Sequence, residues 1–227
     1  MVKSSKPQKS PSSPGTSQET SGFSKSSAET SAAAAPSASE LNLSNHFLIA
    51  MPSMLDPIFG GSVVYLCEHN AGGALGVIIN KPTDMTVDVL LDRIDLVQEG
   101  ESDTAPLDRK LVMFGGPVQV ERGFVLHAPM AQFSSMMTVS DDIVLTTSKD
   151  VLEAVAHGSG PTRLLVSLGC SGWSAGQLEQ EIARNGWLTV RADPRIVFDL
   201  PIEERFDAAM RLLGIDPYML AGEAGHA

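Results

Sequence analysis

Short apolar runs, separated by glycine-bearing turns, make up the chain from Leu41 onward. The longest of them, residues 63–67 and 75–79, have the length of a strand. A membrane-spanning helix needs roughly 18 uninterrupted apolar residues, and the sequence contains no such run. The pattern therefore predicts a globular fold of mixed α and β structure and argues against a transmembrane or fibrous one.

The spacing of the apolar residues predicts the individual elements. Continuous or alternating apolar runs predict strands, and offsets of three and four predict helices with one buried face. Strands are predicted at residues 43–50, 62–67, 74–80, 111–114, 123–127, 143–146, 163–168, 187–190 and 196–198. Helices are predicted at residues 86–94, from a Ser148 cap to His157, from a Ser174 capping box to Gly186, and from Pro201 to Gly214. A polar loop is predicted at residues 97–108.

Three glycine-containing segments predict changes in chain direction. Residues 68–73 are typical of a hairpin link between antiparallel strands. Gly115 and Gly116 precede Pro117, which disfavours helical backbone at Gly116, so a turn is predicted there. Residues 169–172 lie between an apolar strand and a capped helix, and we predict a tight glycine turn at this point.

The first 39 residues differ sharply in composition from the rest of the chain. They hold 13 serines, four prolines and four lysines against two glutamates, with almost nothing to bury. Such a segment cannot offset the entropy of ordering, so we predict a disordered extension. A transit peptide is the alternative, although the segment has no arginine and no amphipathic period. We predict one globular domain over residues 40–220 and a frayed end over residues 221–227.

The charge of the chain limits its partners. The net charge is -11 at pH 7, and residues 40–227 alone hold 12 basic and 25 acidic side chains. The field of a domain with a net charge of -13 repels nucleic-acid phosphates and anionic lipids. We therefore expect neither direct nucleic-acid binding nor a membrane partner.

The two cysteines and the start of the chain bear on its compartment. Cys67 and Cys170 are too few and too far apart for a disulfide framework or a four-ligand zinc site. The first forty residues contain no apolar run of the kind that a secretory signal needs. We expect a cytoplasmic protein.

Several motifs occur together and in order along residues 41–213, and together they resemble the YqgE/AlgH family (UPF0301, DUF179). The matching segments are residues 48–52 with Asp56, Pro57 and Phe59, then residues 68–69 and 76–82, then residues 115–118 and 122–127, and finally Gly172 and Trp173 with residues 176–179. Because the matches cover nearly the whole predicted domain, the resemblance is specific.

The resemblance implies a bacterial-type α+β domain with a mainly antiparallel, split sheet curled into a pseudo-barrel and helices packed outside. The family has been described as one of transcriptional regulators through one member's association with alginate production, and it supplies no catalytic residue to carry over. In one place the chain departs from the family. Where an aromatic residue is expected in a Gly-Tyr-Ala-Gly-Trp phrase, the chain has Cys170, in the sequence Gly169-Cys170-Ser171-Gly172-Trp173.

The predicted turn at residues 169–172 is one candidate site. A nucleophile elbow would use Ser171 or Cys170 there, but it requires Gly-x-Ser-x-Gly, and Gly172 follows Ser171 directly. The following helix N-terminus could instead bind a phosphate or carboxylate beside Gly172, although the lysine and serine of a P-loop are missing. Cys170 is also a redox candidate if the turn exposes it.

A second candidate surface consists of polar residues flanking the strands that match the family best. They are Glu68, His69, Asn80, Lys81, Arg122 and His127. Their convergence at one rim would bring together acid, base and cation. His69 and His127 could bind a metal with Glu68, but their spacing is not diagnostic, and turn hydrogen bonds are the alternative. We assign no catalytic residue, cofactor or metal ligand from sequence.

Two functions remain open at this point. The preferred one is a non-enzymatic regulatory or interaction protein that acts through an unknown protein partner, since no catalytic set can be interpreted. The alternative is a small-molecule or anion-binding protein, and possible enzyme, that uses residues 169–177. If Glu68, His69, Lys81 and Arg122 are dispersed over opposite faces and no pocket lies at the Gly172 turn, the alternative loses its basis. The sequence does not indicate an oligomeric state.

Overall fold

The structure is a computed structural model that describes residues 42–96, 110–130 and 132–214. The predicted tail at residues 1–39, the predicted loop at residues 97–108 and the predicted frayed end at residues 221–227 lie outside the described residues. The strands within the described ranges are β1 (His46–Ala50), β2 (Val63–Asn70), β3 (Gly73–Ile78), β4 (Pro82–Thr86), β5 (Leu111–Phe114), β6 (Val118–His127), β7 (Met136–Thr138), β8 (Val144–Thr146), β9 (Leu164–Ser174) and β10 (Trp187–Arg191). The helices are α1 (Val87–Arg93), α2 (Asp150–Ala156), α3 (Gln177–Ala183), α4 (Pro194–Phe198) and α5 (Arg205–Leu212), with a 3-10 turn at Ile202–Glu204.

The strands form one mainly antiparallel sheet in the order β10-β1-β2-β3-β9-β6-β8-β7, with β4 and β5 branching from β9. The pair β5–β9 is parallel, and the neighbouring pairs β3–β9 and β6–β9 are antiparallel. The predicted hairpin at residues 68–73 is confirmed as the antiparallel pair β2–β3, with a register shift between Leu66 and Glu68. Strand β9 thus joins the two halves of the sheet. The predicted fold class is confirmed.

Both faces of β1 and of most of β2 are buried, which explains why these strands read as continuous apolar runs. On β1, Phe47 and Ile49 belong to one core, and Leu48 and Ala50 belong to another. Side chains of a strand alternate between its two faces, so β1 contributes to two cores. Helices α4 and α5 add Val197 and other residues to the first core, whereas α3 covers the second. A third core lies beneath α1 and α2.

The prediction of a strand at residues 196–198 is wrong, because this segment is helix α4. Asp193 caps the helix by accepting a hydrogen bond from the Arg195 N–H, 2.9 Å away, and Pro194 occupies the first turn. Ile196 and Val197 are β-branched, but the short helix buries both of them. An aspartate followed by proline is a helix start, and it outweighed the strand propensity of the residues that follow.

The helix starts also differ from the predictions. Ser148 does not cap α2; its hydroxyl donates to Asp150 and accepts from the Ser135 N–H. The helix predicted from Pro201 begins as a 3-10 turn, and α5 itself starts at Arg205. Strands β4 and β7 were not predicted, because both are short and mostly at least partly exposed.

Candidate functional site

The segment 169–172 is part of a strand, so the predicted tight turn is wrong. Strand β9 runs through it to Ser174. Gly169 has a φ of +75°, and a Cβ atom there would lie 2.4 Å from the Gly116 carbonyl oxygen. Gly116 has a φ of +144°, and a Cβ atom there would lie 2.4 Å from the Cys170 carbonyl oxygen. These glycines allow two backbone segments to cross in contact.

The crossing buries the two groups proposed as nucleophiles. Ser171 is fully buried, and its hydroxyl donates to the Gly115 carbonyl oxygen at 3.1 Å. The Cys170 side chain lies in a core with 2% of its surface exposed. Burial raises the pKa of the Cys170 thiol, although Arg122 opposes the shift. The environment therefore disfavours the reactive thiolate and excludes the exposed elbow that either nucleophile would need.

Helix α3 begins without the predicted capping box. Its N-cap is Gly176, with a φ of +73° and no side-chain hydrogen bond. The Ser174 N–H donates to the side chain of Gln177 at 3.0 Å, which is the returning half of a capping box. The Ser174 hydroxyl does not complete it, because Ser174 is still the last residue of β9.

A cavity of about 340 Å³ opens beside Gly172, and we call it the aromatic pocket. It is bordered by the loop that follows β1, by the last residues of β9 and by α3. Its lining residues are Met54, Asp56, Phe59, Pro117, Gly172, Trp173, Gln177, Glu181, Arg184, Gly186 and Trp187. Gly172 therefore borders an open cavity, whereas Cys170 and Ser171 before it are buried.

Three aromatic rings pack together in the wall of the pocket. The ring centroids of Trp173 and Trp187 are 6.0 Å apart and their planes meet at 81°. Phe59 lies 5.5 Å from Trp187 at 78°, and 6.2 Å from Trp173 at 35°. Edge-to-face contacts of this kind stabilise an aromatic cluster beyond its buried area. The cluster therefore forms a rigid apolar surface that faces the cavity.

Glu181 holds both tryptophans in place. The indole N–H groups of Trp173 and Trp187 donate to the same Glu181 oxygen, Oε2, at 2.9 and 2.8 Å. The other oxygen, Oε1, accepts from the side-chain amide of Gln177 at 3.0 Å. One carboxylate from α3 thus fixes the orientation of rings on β9 and β10.

Asp56 shapes the opposite side of the pocket. One of its carboxylate oxygens accepts from the backbone N–H groups of Ile58 and Phe59, each at 2.8 Å. The Lys81 ammonium donates to the Ile58 carbonyl from behind this loop. Burial lowers the pKa of Lys81, and the nearby Asp56 charge opposes that shift. These bonds fix the loop that carries Phe59.

The six polar residues predicted to share a rim are not gathered into one cluster. Asn80 and Lys81 hold the loop and the start of β2: Asn80 accepts from the Val63 N–H and donates to the Gly61 carbonyl, both within 2.9 Å. Arg122 donates to Gln119 and Thr147, and its guanidinium lies over the ring of Phe124. Asn80, Lys81 and Arg122 each form hydrogen bonds to nearby turn and strand residues.

Glu68, His69 and His127 occupy separate settings. Glu68 lines a second cavity of about 260 Å³ next to Trp173. The His69 ring accepts from the Leu43 N–H at 3.0 Å through Nδ1, so its Nε2–H donates to Glu179. His127 is fully buried and bonds to the Ala128 carbonyl and the Thr146 hydroxyl.

Among residues 42–96, 110–130 and 132–214, no three His, Cys, Asp or Glu side chains are grouped as a metal ion would need. Within these ranges, no helix has the length and apolarity to cross a bilayer.

Comparison with known proteins places these motifs in a family. A family model described as AlgH-like, DUF179, matches residues 47–218. The chain belongs to this family. A UPF0301 protein of Ralstonia nicotianae is 62% identical over 187 residues, which are 82% of this chain and 96% of that protein. A UPF0301 protein of Cupriavidus pinatubonensis is 61% identical over 193 residues, 85% of this chain and 100% of that protein.

Solved structures of similar proteins agree with the fold. The solution structure of the AlgH protein from Pseudomonas aeruginosa matches with a TM-score of 0.66 and 43% identity, over 86% of this chain and 98% of that one. A crystal structure of a Corynebacterium diphtheriae protein matches with a TM-score of 0.58 and 21% identity, over 74% of this chain and 85% of that one. The second match concerns the fold alone.

Phe59 belongs to the family motif but was not predicted to form part of a site, and neither Glu181 nor the aromatic pocket was predicted. Trp173 and Trp187 are the only tryptophans in the chain, and both lie at this pocket. Their positions on either side of α3 were the sequence feature that could have indicated an aromatic site. Nothing in the local pattern indicated that residues 54–59 would pack against them.

Proposed function

We propose that this AlgH-like protein is a non-enzymatic interaction protein of the cytoplasm, and that the aromatic pocket recognises a protein partner. One observation carries the proposal. At Gly172 strand β9 borders an open pocket with a fixed aromatic wall, whereas the neighbouring Cys170 and Ser171 are buried. A rigid aromatic surface with a few oriented polar groups suits recognition, and neither the Cys170 thiol nor the Ser171 hydroxyl is open to solvent there.

The acidic charge supports a protein partner over a nucleic acid. Residues 40–227 carry a net charge of -13, so a DNA duplex would have to approach against repulsion. Any effect on transcription is therefore expected to pass through another protein. Both described cysteines are free thiols, which suits a reducing compartment.

The proposal is tested by filling the pocket. Gly172 lines it, and a Cβ atom there would have Val118 as its nearest neighbour at 3.7 Å, so Gly172→Leu should fold and obstruct the cavity. Gly123 is a matched strand glycine outside the aromatic pocket, with no atom within 4 Å of a Cβ. The full chain, Gly172→Leu and Gly123→Leu would be used to capture partners from cell extract, with identification by mass spectrometry.

We expect a partner that binds the wild type and Gly123→Leu and is lost with Gly172→Leu. Circular dichroism and urea unfolding would check that both variants are folded. Equal capture by all three proteins would contradict the proposal. A tight, salt-sensitive complex with duplex DNA would contradict the choice of a protein partner.

A small-molecule ligand is the second candidate, and the size of the cavity favours it. Ligand sites commonly occupy roughly 300–1,000 Å³, and the aromatic pocket has about 340 Å³. A ligand that binds only the folded state raises the melting temperature. A metabolite that stabilises the wild type but not Gly172→Leu, with no pocket-dependent protein partner, would establish this candidate in place of the first.

An anion is the less suitable small ligand for this pocket. Two carboxylates, those of Asp56 and Glu181, line it against one guanidinium, that of Arg184. The seven-residue helix α3 begins at Gln177 after a glycine cap and adds no basic side chain at that end. Inorganic phosphate should therefore leave the melting temperature unchanged.

A further inference from the structure

The aromatic pocket combines ring surfaces with negative charge. Phe59, Trp173 and Trp187 line it, together with the carboxylates of Asp56 and Glu181. The planes of the two indoles are close to perpendicular, at 81°, and Phe59 is the most exposed of the three rings, since Trp173 and Trp187 are 6% and 3% exposed. The faces of aromatic rings carry partial negative charge and attract cations.

The charge of Glu181 is stabilised by neutral donors. Both indole N–H groups and the Gln177 amide donate to its two oxygens. Within the described ranges, Glu181 and Asp56 take part in no salt bridge. Hydrogen bonds orient these carboxylates but leave their formal charges uncompensated by direct ion pairing.

Two cationic side chains near the pocket partly offset the negative charge of Asp56 and Glu181. Arg184 lies on the same helix as Glu181 and lines the pocket. Lys81 lies behind the loop, outside the pocket lining, and is engaged with the Ile58 carbonyl. Arg184 is exposed, and its guanidinium takes part in no salt bridge among the described residues, so the side chain can turn towards solvent when a second cation approaches.

We propose that the aromatic pocket takes a basic side chain, lysine or arginine, presented by the partner protein. The aliphatic stem of such a residue packs on the rings, and its charged end meets ring faces and the carboxylates of Asp56 and Glu181. The charge of -13 on residues 40–227 attracts a basic partner over a longer range. This inference rests on the proposed function, because it names the chemistry that the same pocket recognises.

The test uses four capped peptides, Gly-Ser-X-Ser-Gly, in which X is lysine, arginine, norleucine or glutamate. Norleucine matches the lysine stem without its charge. Tryptophan fluorescence of the full chain reports binding, since the chain has two tryptophans and both line the pocket. We expect the lysine and arginine peptides to bind about fivefold more tightly than the norleucine peptide, and the glutamate peptide not to bind.

Two charge variants should move the affinity in opposite directions. Asp56→Asn keeps an oxygen that can accept from Ile58 and Phe59 but removes the charge, so the lysine peptide should bind about threefold more weakly. Arg184→Gln removes the opposing cation and should strengthen binding. Asp141→Asn is the matched control, because Asp141 is exposed and lies outside the pocket lining. It should leave the affinity unchanged.

The outcomes separate this inference from the proposed function. Equal or tighter binding of the norleucine peptide, equal effects of Asp56→Asn and Asp141→Asn, or no response to either basic peptide would each overturn the inference. If Gly172→Leu still loses its protein partner in those cases, the interaction function stands and only the chemistry of the anchor is wrong. If Gly172→Leu keeps every partner, the proposed function fails as well.

Discussion

Two neighbouring stretches of strand β9 have opposite surroundings. Residues 169–171 lie against the crossing backbone of Gly115 and Gly116, and Cys170 and Ser171 are buried there. One residue later, Gly172 is exposed and borders the aromatic pocket. We call the first stretch the glycine crossing. Glycine therefore has two uses in this strand: it allows close backbone packing in the first stretch, and it borders an open pocket in the second.

The difference also separates stability from recognition. At the glycine crossing a side chain has no room, so a substitution should act mainly on folding. At Gly172 a side chain has room, so a substitution should act mainly on what enters the pocket.

The largest effect is expected for Gly116→Ala. A Cβ atom there would lie 2.4 Å from the Cys170 carbonyl oxygen, and the φ of +144° is unfavourable for alanine. The free energy of unfolding should fall by about 3 kcal/mol, because the crossing must separate or the backbone must shift. Urea unfolding, followed by circular dichroism, would measure the change.

Gly172→Ala provides the comparison for that measurement. Its Cβ would have no neighbour closer than 3.7 Å, so the free energy of unfolding should stay within about 0.5 kcal/mol of the wild type. If Gly116→Ala and Gly172→Ala lost similar amounts of unfolding free energy, the distinction between the glycine crossing and the pocket border would be wrong.

An intermediate effect is expected for Glu181→Ala. Both indole N–H groups lose their acceptor, and Trp173 and Trp187 are almost fully buried. The free energy of unfolding should fall by about 2 kcal/mol, since buried unpaired donors are costly. Tryptophan emission should also change, because the rings are no longer fixed.

Glu181→Gln separates the two properties of the carboxylate, because it removes the charge and keeps an acceptor oxygen. We expect it to recover at least half of the stability that Glu181→Ala loses. If both variants are equally destabilised, the carboxylate charge rather than the acceptor orients the indoles.

The smallest effect is a dependence of stability on pH that comes from His127. Burial lowers the pKa of this histidine below its usual 6.5, so the unfolded chain takes up a proton at a higher pH than the folded one. The contribution of His127 to the free energy of unfolding should therefore decrease as the pH falls from about 7.5 to 5.5, and stay constant above that range. Urea unfolding across this range would measure the decrease.

His127→Gln removes the group and should flatten the profile over the same range. The carboxylates with lowered pKa, Asp150 and Asp193, lose their contribution only at more acidic pH. A variant profile as steep as that of the wild type would assign the dependence to another group.

The family resemblance and most elements could be predicted because their signals are local. The apolar runs at residues 62–67 and 111–114 lie in strands β2 and β5, and the spacing at residues 86–94 predicted α1. The error at residues 196–198 is also local, since the cap formed by Asp193 and Pro194 was present in the sequence. Short, partly exposed strands such as β7 leave no clear periodic pattern.

The candidate site could be predicted only in part. Gly172 and Trp173 were singled out by their motif, and Gly172 borders the pocket. The turn assigned to residues 169–172 was wrong because glycine permits both a turn and a close crossing. Which of the two occurs depends on Gly115 and Gly116, more than fifty residues earlier in the chain.

The amino-acid sequence by itself determined the mixed α and β composition, the acidic charge and the membership of the AlgH-like family. These follow from residue types and from spacing along the chain. Only the tertiary structure decided that Cys170 and Ser171 are buried, that the polar residues are engaged separately, and that Phe59 meets Trp173 and Trp187 beside Glu181. The physical reason is that a pocket forms between segments distant in sequence, and local spacing records only which face of each segment is buried.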